Sequence, residues 1–261
     1  MLSKAVAFFS SPRWHSFMKI WAISDLHLGF STGKWMDQFG EHWEGHHEKV
    51  EAAWRELIEP DDLVLLPGDF SWAMKAIDVA VELEWLSVLP GKKVLIKGNH
   101  DYWWPGSHKK LNELLPEGIY AIKKRAVVVD GVPIIGVRGG DFIPWCPPDE
   151  ELGAEALEKA FATLQKERRE LLQSIEYLAG IYEGEQRPIA LFHYPPYRIG
   201  SKESAFTRIL ESAGCSHCLF GHLHTSPEWE RVFKGESNGV SYRLVSCDYL
   251  DFKPLLIDER D

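Results

Sequence analysis

The chain has 261 residues, of which 45% are hydrophobic, and a formal net charge of -10. This length and apolar content suffice to bury a large core, and α/β folds of this size commonly form one domain. The acidic balance argues against broad binding to nucleic acid or to an anionic membrane, because both require a basic face on the protein.

The N-terminal segment is predicted to lie apart from the core. Residues 1–17 contain one short apolar run, Ala5 to Phe9, which is shorter than a signal-peptide core of about 7 to 15 residues and far shorter than a membrane span. We therefore expect no export signal and no membrane anchor. The four cysteines are too few and too scattered for a disulfide framework, which favours a cytoplasmic protein. Residues 1–17 are predicted to be a peripheral or poorly ordered extension, and residues 18–261 a single catalytic domain.

The first half of the chain alternates predicted strands with predicted helices. The strands are 18–24, 63–66 and 93–97, and the helices are 42–58, 76–86 and 107–115. The helices show apolar residues at helical spacing, and prolines follow the first and third of them. Next, Asp130-Gly131 joins the β-rich runs 127–129 and 133–137, which predicts a hairpin.

The second half of the chain is richer in predicted strands. Between residues 150 and 179 apolar residues recur at helical spacing, but the charged stretch 166–170 interrupts them, so one long helix or two shorter ones are both consistent. The later predicted elements are a helix at 204–213 and strands at 189–192, 218–220, 239–245 and 255–257. An alternating α/β half followed by a β-rich half predicts a layered domain.

Five short polar segments each follow an apolar run that is predicted to be a strand. They are Asp25-Leu26-His27, Gly68-Asp69, Gly98-Asn99-His100-Asp101, His193 and Gly221-His222-Leu223-His224. Side chains two residues apart at a strand end point to the same side, which pairs Asp25 with His27 and His222 with His224. A glycine directly precedes Asp69, Asn99 and His222. At these positions the backbone is expected to turn sharply where no Cβ could fit.

The residue types in these segments predict a metal centre. Carboxylate and neutral imidazole are the usual ligands of zinc, manganese and iron. Two divalent ions about 3.5 to 4 Å apart can clamp the attacking and leaving oxygens of phosphoryl transfer. Five such segments in one chain therefore predict a pair of adjacent divalent ions, of which manganese, iron and zinc are all candidates.

The five segments, in this order, resemble the calcineurin-like metallophosphoesterase superfamily, whose pattern is D-x-H, GD, GNH(D/E), H and GHxH. The resemblance extends from residue 18 to residue 257, although only the short motifs are specific. The blocks Gly68–Ala73 and Gly98–Trp104 resemble those of uncharacterised bacterial predicted phosphohydrolases. The resemblance implies an α/β fold, a four-layer αββα sandwich of two facing mixed β-sheets with the ligands on loops at one edge.

The resemblance also implies a role for each motif residue. One metal ion would be held by Asp25, His27, Asp69 and His224, and the other by Asp69, Asn99, His193 and His222. A hydroxide bridging the two ions would attack the phosphate ester, because a metal lowers the pKa of bound water from about 15.7 towards 7. His100 is expected to donate a proton to the leaving oxygen or to stabilise the phosphate, and Asp101 to orient the His100 ring.

The substrate is less closely defined than the site. Aromatic residues crowd the motif loops; Trp104 and Tyr197 are candidates for substrate contact, whereas packing beneath the loops is the alternative for such rings. The serine/threonine phosphatase branch places arginines after its GD and GNH blocks, but Phe70 and Tyr102 stand at those places here. The absence of that arginine fork favours a diester or a nucleotide-like substrate over a monoester. Other cations that could bind phosphate are Arg138, Arg198, Lys202 and Arg208.

Alternative interpretations remain open at this point. A phosphomonoesterase of small molecules would use the same metal pair, and a non-catalytic scaffold would keep the fold alone. A hydrolase of C–N bonds would usually begin with His-x-His rather than Asp25-x-His27. The expected partner is a phosphate-ester small molecule or nucleotide, with no membrane and no stable nucleic-acid complex. An accessory metal at His42, His46 and His47 and a zinc site at Cys215 and Cys218 are further possibilities that weaker patterns suggest.

Overall fold

The computed structural model describes residues 18–140, 153–198 and 200–260. Its strands are β1 (Met18–Ala22), β2 (Leu63–Leu66), β3 (Lys92–Ile96), β4 (Ile119–Ile122), β5 (Val127–Val129), β6 (Val132–Val137), β7 (Ile189–Phe192), β8 (His217–Phe220), β9 (Gly235–Ser237), β10 (Val240–Leu244) and β11 (Leu255–Arg260). Its α-helices are α1 (His46–Leu57), α2 (Ala80–Ser87), α3 (His108–Leu114), α4 (Ala154–Ile181), α5 (Ala205–Ser212) and α6 (Ser226–Arg231). The predicted extension at residues 1–17 and the residues Asp141, Trp145 and Cys146 lie outside the described ranges.

The strands form two mixed sheets. The first has the order β11-β1-β2-β3-β4, in which β1 to β4 are parallel and β11 is antiparallel to β1. The second has the order β5-β6-β7-β8-β10-β9, in which β6, β7, β8 and β10 are parallel and the two edge strands run antiparallel. The parallel strands of each sheet therefore present their carboxyl ends at a common edge, where ligand-binding loops of α/β sheets lie.

Side chains that alternate along the strands divide the core into three apolar layers. In β2, Leu63 and Leu65 face the second sheet, whereas Val64 and Leu66 pack under α1, α2 and α3. In β7, Ile189 and Leu191 face the first sheet, whereas Phe192 packs under α4 and α5. Because strand side chains alternate in direction, each sheet buries both faces. The predicted four-layer αββα sandwich is confirmed.

Several predicted elements have different boundaries in the structure. Helix α1 begins at His46 rather than at residue 42, because Gly45 has a left-handed backbone conformation with φ of 60°. The open question at residues 150–179 is resolved in the described part as one helix, α4, which runs to Ile181. The hairpin at Asp130-Gly131 is confirmed, since both residues have positive φ and β5 pairs antiparallel with β6. The short elements β4, β9 and α6 were not predicted.

No helix in the described ranges is both long enough and apolar enough to span a bilayer. The longest, α4, carries charged residues along its length and packs against β6.

Candidate metal centre

The polar segments meet where the two sheets come together. Asp25 follows β1, Asp69 follows β2 and Asn99 follows β3 in the first sheet, and His193 and His222 follow β7 and β8 in the second. The two sheets are joined at this edge by a parallel bridge after β1 and β10, in which the backbone N–H of Ser24 donates to Val245 O at 2.8 Å. Residues more than 200 positions apart in the chain are thereby brought into contact.

Four of these polar residues have left-handed backbone conformations. The φ angles are 59° at Asp25, 45° at His27, 52° at Asp69 and 74° at His222. Non-glycine residues rarely adopt positive φ, and the cost of order 1–3 kcal/mol for each is often found at functional sites. The surrounding hydrogen bonds hold this geometry: the N–H of Asp25 donates to Gly68 O and that of His27 to Asp69 O, both at 3.0 Å.

Two of the motif glycines are required by close approach of a carboxylate. A Cβ at Gly98 would lie 2.0 Å from Oδ1 of Asp69, and a Cβ at Gly221 would lie 2.1 Å from Oδ2 of Asp25. Both distances are far below contact distance, so neither position accepts a side chain without movement of an acidic residue. The sequence correctly predicted that a Cβ would not fit, and the structure shows which atoms exclude it.

One group of potential metal ligands consists of Asp25, His27 and His224. Oδ1 of Asp25 lies 3.5 Å from Nε2 of His224, which in turn lies 3.4 Å from Nε2 of His27. These atoms point towards one another, and this trio could hold a metal ion. Buried carboxylate and imidazole are suitable ligands for a first-row divalent ion.

A second group of potential ligands surrounds His193. Its Nε2 lies 3.4 Å from Oδ2 of Asp69 and 2.6 Å from Oδ1 of Asn99, and the same Asn99 oxygen lies 2.9 Å from Nδ1 of His222. Asp25, Asp69 and His193 form a second trio that could hold a metal ion. All seven residues predicted as ligands are therefore brought together.

Hydrogen bonds at the far ring nitrogens orient two of the histidines. Nδ1 of His193 lies 3.1 Å from Pro67 O, and Nδ1 of His224 lies 3.1 Å from Oδ1 of Asp248. A proton on each Nδ1 leaves each Nε2 free to bind a metal. Asp248 was missed in the sequence, although it follows β10 as the other acids follow their strands. Because Ser246-Cys247-Asp248 contains neither glycine nor histidine, its position after a strand was the available signal.

Burial and mutual charge shift the ionisation of these groups. Burial raises the pKa of Asp25, but His224, His193 and His27 outweigh it and hold the pKa well below its usual range. Burial raises the pKa of Asp69 well above its usual value, and Asp101 and Asp25 add to that rise. Burial lowers the pKa of His193 to about 4. Burial also lowers the pKa of His222, and the charge of neighbouring His193 adds to that effect, which brings it to about 3. The last two imidazoles are thus neutral, the form that binds metal.

His224 differs from the other histidines of the centre. Burial alone would lower its pKa, but hydrogen bonds and charge from Asp248 and Asp25 raise it to about 10. Without a cation, a proton on His224 therefore compensates part of the buried negative charge. A metal ion would replace that proton, since a ligand histidine must be neutral.

The expected role of Asp101 has to be corrected. Its carboxylate accepts backbone N–H groups of Gly98, Asp69, Phe70 and Ser71 at 2.7 to 3.1 Å and the indole N–H of Trp103 at 2.9 Å. Both oxygens are therefore engaged by the two motif loops rather than by the His100 ring. Asp101 fixes the loop that carries Asp69 against the loop that carries Asn99.

His100 lies beside the ligand His27 and is only partly buried. Its half-buried ring lies 4.5 Å from the Trp72 ring and 5.5 Å from the His27 ring, measured between centroids. Burial lowers the pKa of its imidazole, and the charge of Lys34 adds to that effect. Trp72 itself stacks on His27 with centroids 4.6 Å apart, so it packs beneath the ligands.

The two candidates for substrate contact have different surroundings. Tyr197 is 2% exposed, and its hydroxyl donates to Phe233 O at 2.5 Å among the rings of the core below the second sheet. The expectation that Tyr197 contacts substrate is therefore wrong, because aromatic packing covers it. Trp104 is 7% exposed but lines a cavity beside Lys97.

The other two metal sites suggested by the sequence, at His42, His46 and His47 and at Cys215 and Cys218, do not form ligand clusters in the described part of the chain. His46 is buried, with its Nε2 2.9 Å from Leu26 O, and the His47 ring packs beside Phe30. Cys215 and Cys218 are buried and free, without further metal ligands around them.

A two-sheet sandwich gathers aspartates and histidines that could hold metal ions at one edge, and comparison with known proteins identifies its family. Residues 18–226 match the family model described as calcineurin-like phosphoesterase. The chain belongs to this family.

Two individual proteins that resemble this chain share limited sequence identity with it or match only part of it. The phosphopantetheinyl hydrolase PptH of Mycobacterium tuberculosis has a similar structure, with a TM-score of 0.58 at 16% identity over 93% of this chain and 97% of that chain. The Gene 66 protein of Mycobacterium phage L5 is 35% identical over 81 residues, or 31% of this chain. That match spans 39% of the phage protein. At these levels the structural similarity concerns the fold.

Proposed function

We propose that this protein is a dinuclear metallophosphoesterase that hydrolyses a phosphodiester or a nucleotide-like ester. One ion would be held by Asp25, His27, Asp69 and His224, and the second by Asp69, Asn99, His193 and His222. When bound, the two ions would activate water for attack and neutralise phosphate oxygens. Manganese is the proposed physiological ion, with iron and zinc as alternatives.

The position of Asp69 supports this proposal most directly. Its Oδ1 accepts the backbone N–H of His100 at 2.8 Å. Its Oδ2 lies 3.7 Å from Nε2 of His27 and 3.4 Å from Nε2 of His193, and so faces both groups of potential ligands. A single carboxylate oxygen between two sets of imidazoles is suited to bridge two cations.

His100 is proposed to donate a proton to the leaving oxygen. Its ring makes no ion pair or side-chain hydrogen bond with a described residue, and it remains half-buried beside His27. The ring nitrogens are therefore accessible to a substrate oxygen. A positioned imidazole contributes roughly 10² to 10⁴ in rate when it supplies a proton to a leaving group.

The preference for a diester follows from the residues beside the motif aspartates. Phe70 is 1% exposed and Tyr102 is 56% exposed, and neither carries a positive charge, so both places of the arginine fork lack a guanidinium. A monoester dianion gains most from bidentate guanidinium contacts, whereas a diester carries one charge less. The alternative, a phosphomonoesterase of small molecules, would require cations from elsewhere in the structure.

We also propose that residues 18–261 form one catalytic domain and that the protein works in the cytoplasm. Cys215, Cys218 and Cys247 are buried free thiols, which suits a reducing compartment.

The proposal predicts that protein reconstituted with manganese hydrolyses bis-p-nitrophenyl phosphate with a higher kcat/KM than p-nitrophenyl phosphate. Asp69→Asn should lose both the metal pair and the activity. Asp130→Asn is the matched control, because Asp130 is also in the left-handed conformation, with φ of 47°, but lies in the β5–β6 turn. A preference for the monoester would favour the alternative, and full activity of Asp69→Asn would contradict the metal assignment.

A further inference from the structure

A cavity with a high density of positive charge lies at the edge that carries the metal centre. Five cations line it, namely Lys97 after β3, Lys123 and Lys124 after β4, Arg138 after β6 and Lys166 on α4. Two anions of α4, Glu167 and Glu170, also line it, which leaves three net positive charges. We call this cavity the Lys97 pocket. Its volume is about 260 Å³, close to the lower end of the range of about 300 to 1,000 Å³ that is usual for ligand sites.

The Lys97 pocket adjoins the second group of potential ligands. Lys97 directly precedes Gly98 and Asn99 in the chain. The carbonyl oxygen of Arg138 accepts the backbone N–H groups of His193 at 3.1 Å and Tyr194 at 3.0 Å. The backbone that positions Asn99 and His193 therefore also positions two cations of the pocket.

Most of the pocket's charges already have partners. Arg138 and Lys166 lie 3.3 and 3.5 Å from Oε1 of Glu167, and Lys124 lies 3.4 Å from Oε1 of Glu170. The ammonium of Lys123 donates to Pro105 O. These contacts connect α4 to the ends of the sheets and stabilise the wall of the cavity.

Lys97 differs from the other cations of the pocket. It is half-buried, yet its ammonium has no ion-pair partner or hydrogen-bond acceptor among the described residues. An unpaired cation in such surroundings is unfavourable, and a bound anion would remove that cost through charge-assisted hydrogen bonds.

We propose that the Lys97 pocket binds a second anionic group of the substrate, a phosphate or carboxylate distinct from the ester that is hydrolysed. This inference rests on the proposed function and narrows its substrate to a polyanionic phosphate ester. Lys97 and Arg138 would contact the second anion, and Trp104, which lines the same cavity, would pack against the part of the substrate that joins the two groups. The pocket also supplies cations near a centre whose motif loops lack arginine.

Binding of pyrophosphate tests the pocket independently of activity. Isothermal titration calorimetry of the metal-free full chain should show one saturable site, since no metal is present to bind the probe. Lys97→Gln should weaken this site about ten-fold or more, as expected for loss of one charge-assisted contact. Lys109→Gln is the control, because Lys109 is 86% exposed and pairs with Glu113 on α3. Absence of saturable binding, or equal binding by wild type and Lys97→Gln, would overturn the proposal.

A kinetic comparison separates the pocket from the proposed function. The metal-loaded enzyme should prefer the 3′-phosphorylated form of thymidine 5′-p-nitrophenyl phosphate, a diester with a second anionic group, to the same diester without the 3′-phosphate, and the ratio of their kcat/KM values should fall about ten-fold in Lys97→Gln. Hydrolysis of simple esters without that preference, and without pyrophosphate binding, would reject the pocket and leave the phosphoesterase intact. Pyrophosphate binding that depends on Lys97, without hydrolysis of any ester, would support the pocket and reject the proposed function.

Discussion

Buried charges at single residues explain why this centre is suited to cations. The carboxylates of Asp25 and Asp69 are 0% and 1% exposed, and neither is paired with a lysine or arginine among the described residues. Burying a carboxylate without a counterion costs several kcal/mol. In the metal-free molecule the proton on His224 supplies the nearest compensating charge. Divalent ions would supply more and would release the proton from His224.

The proton-donor role of His100 predicts a dependence on the leaving group. His100→Ala should retain its metal content but lose roughly 10² to 10⁴ in kcat on a phenyl ester. The loss should be smaller on a p-nitrophenyl ester, because that leaving group is more acidic and needs less protonation. Metal analysis and steady-state kinetics on the two esters measure this difference.

His108→Ala, at the start of α3, is the control for a general effect of histidine removal. An equal loss of rate on both esters would indicate that His100 stabilises the phosphate instead. Loss of metal from His100→Ala would show that the residue acts on the metal centre.

At the scale of elements, strand ends and their loops position the site. The sequence predicted the strands β1, β2, β3, β7 and β8 that carry the ligands, because each is a short apolar run followed by a polar motif. It could not predict that Asp101 joins two loops, since five donors from two separate segments meet its carboxylate. The sequence also placed Tyr197 at the substrate, because Tyr197 lies close to His193 in the chain. Proximity in sequence does not reveal which side chains are covered by packing.

Close packing between loops predicts a large effect from one added methyl group. In Gly98→Ala the new Cβ would meet Asp69, so the loop must shift, and overpacking of this kind typically costs about 1–3 kcal/mol. We expect a lower melting temperature and weaker manganese binding. Thermal unfolding and metal titration measure both effects.

Gly106→Ala provides the matched control, because a Cβ at Gly106 would have no neighbouring atom within 4 Å. Equal stability and equal metal binding in the two variants would contradict the packing of the Gly98 loop against Asp69.

At the scale of the whole molecule, the metal centre depends on two sheets that face each other across one apolar layer. That layer holds Leu65 from the first sheet and Leu191 from the second, far apart in sequence. Parallel strands in both sheets place their carboxyl ends at the same edge. Sequence periodicity predicts each strand but not the pairing between sheets, and the fold class was predicted through the resemblance of the motifs.

Lys93 predicts how the stability of the whole domain changes with pH. It is 3% exposed on β3, its ammonium donates to Leu89 O, and burial lowers its pKa to about 8 from 10.5. Between these values the unfolded chain binds more protons than the folded chain, so the contribution of Lys93 to the free energy of unfolding becomes more favourable as pH rises. Below pH 8 Lys93 is charged in the folded protein, and burial of that charge lowers the free energy of unfolding by up to about 3 kcal/mol.

Lys93→Met should therefore stabilise the protein most at pH 7, and its advantage over wild type should shrink between pH 8 and 10. Denaturant unfolding of both proteins at several pH values gives this difference. Lys92→Met should show no such gain, because Lys92 is paired with Asp130 and its pKa is raised. A constant difference between Lys93→Met and wild type across this range would contradict the buried charge.

Anomalous diffraction from crystals grown with manganese would test the dinuclear centre most directly. The account predicts two peaks per chain, about 3.5 to 4 Å apart, with the Asp69 carboxylate between them and His27 and His193 on opposite sides. A single peak, or two peaks that do not share Asp69, would contradict it.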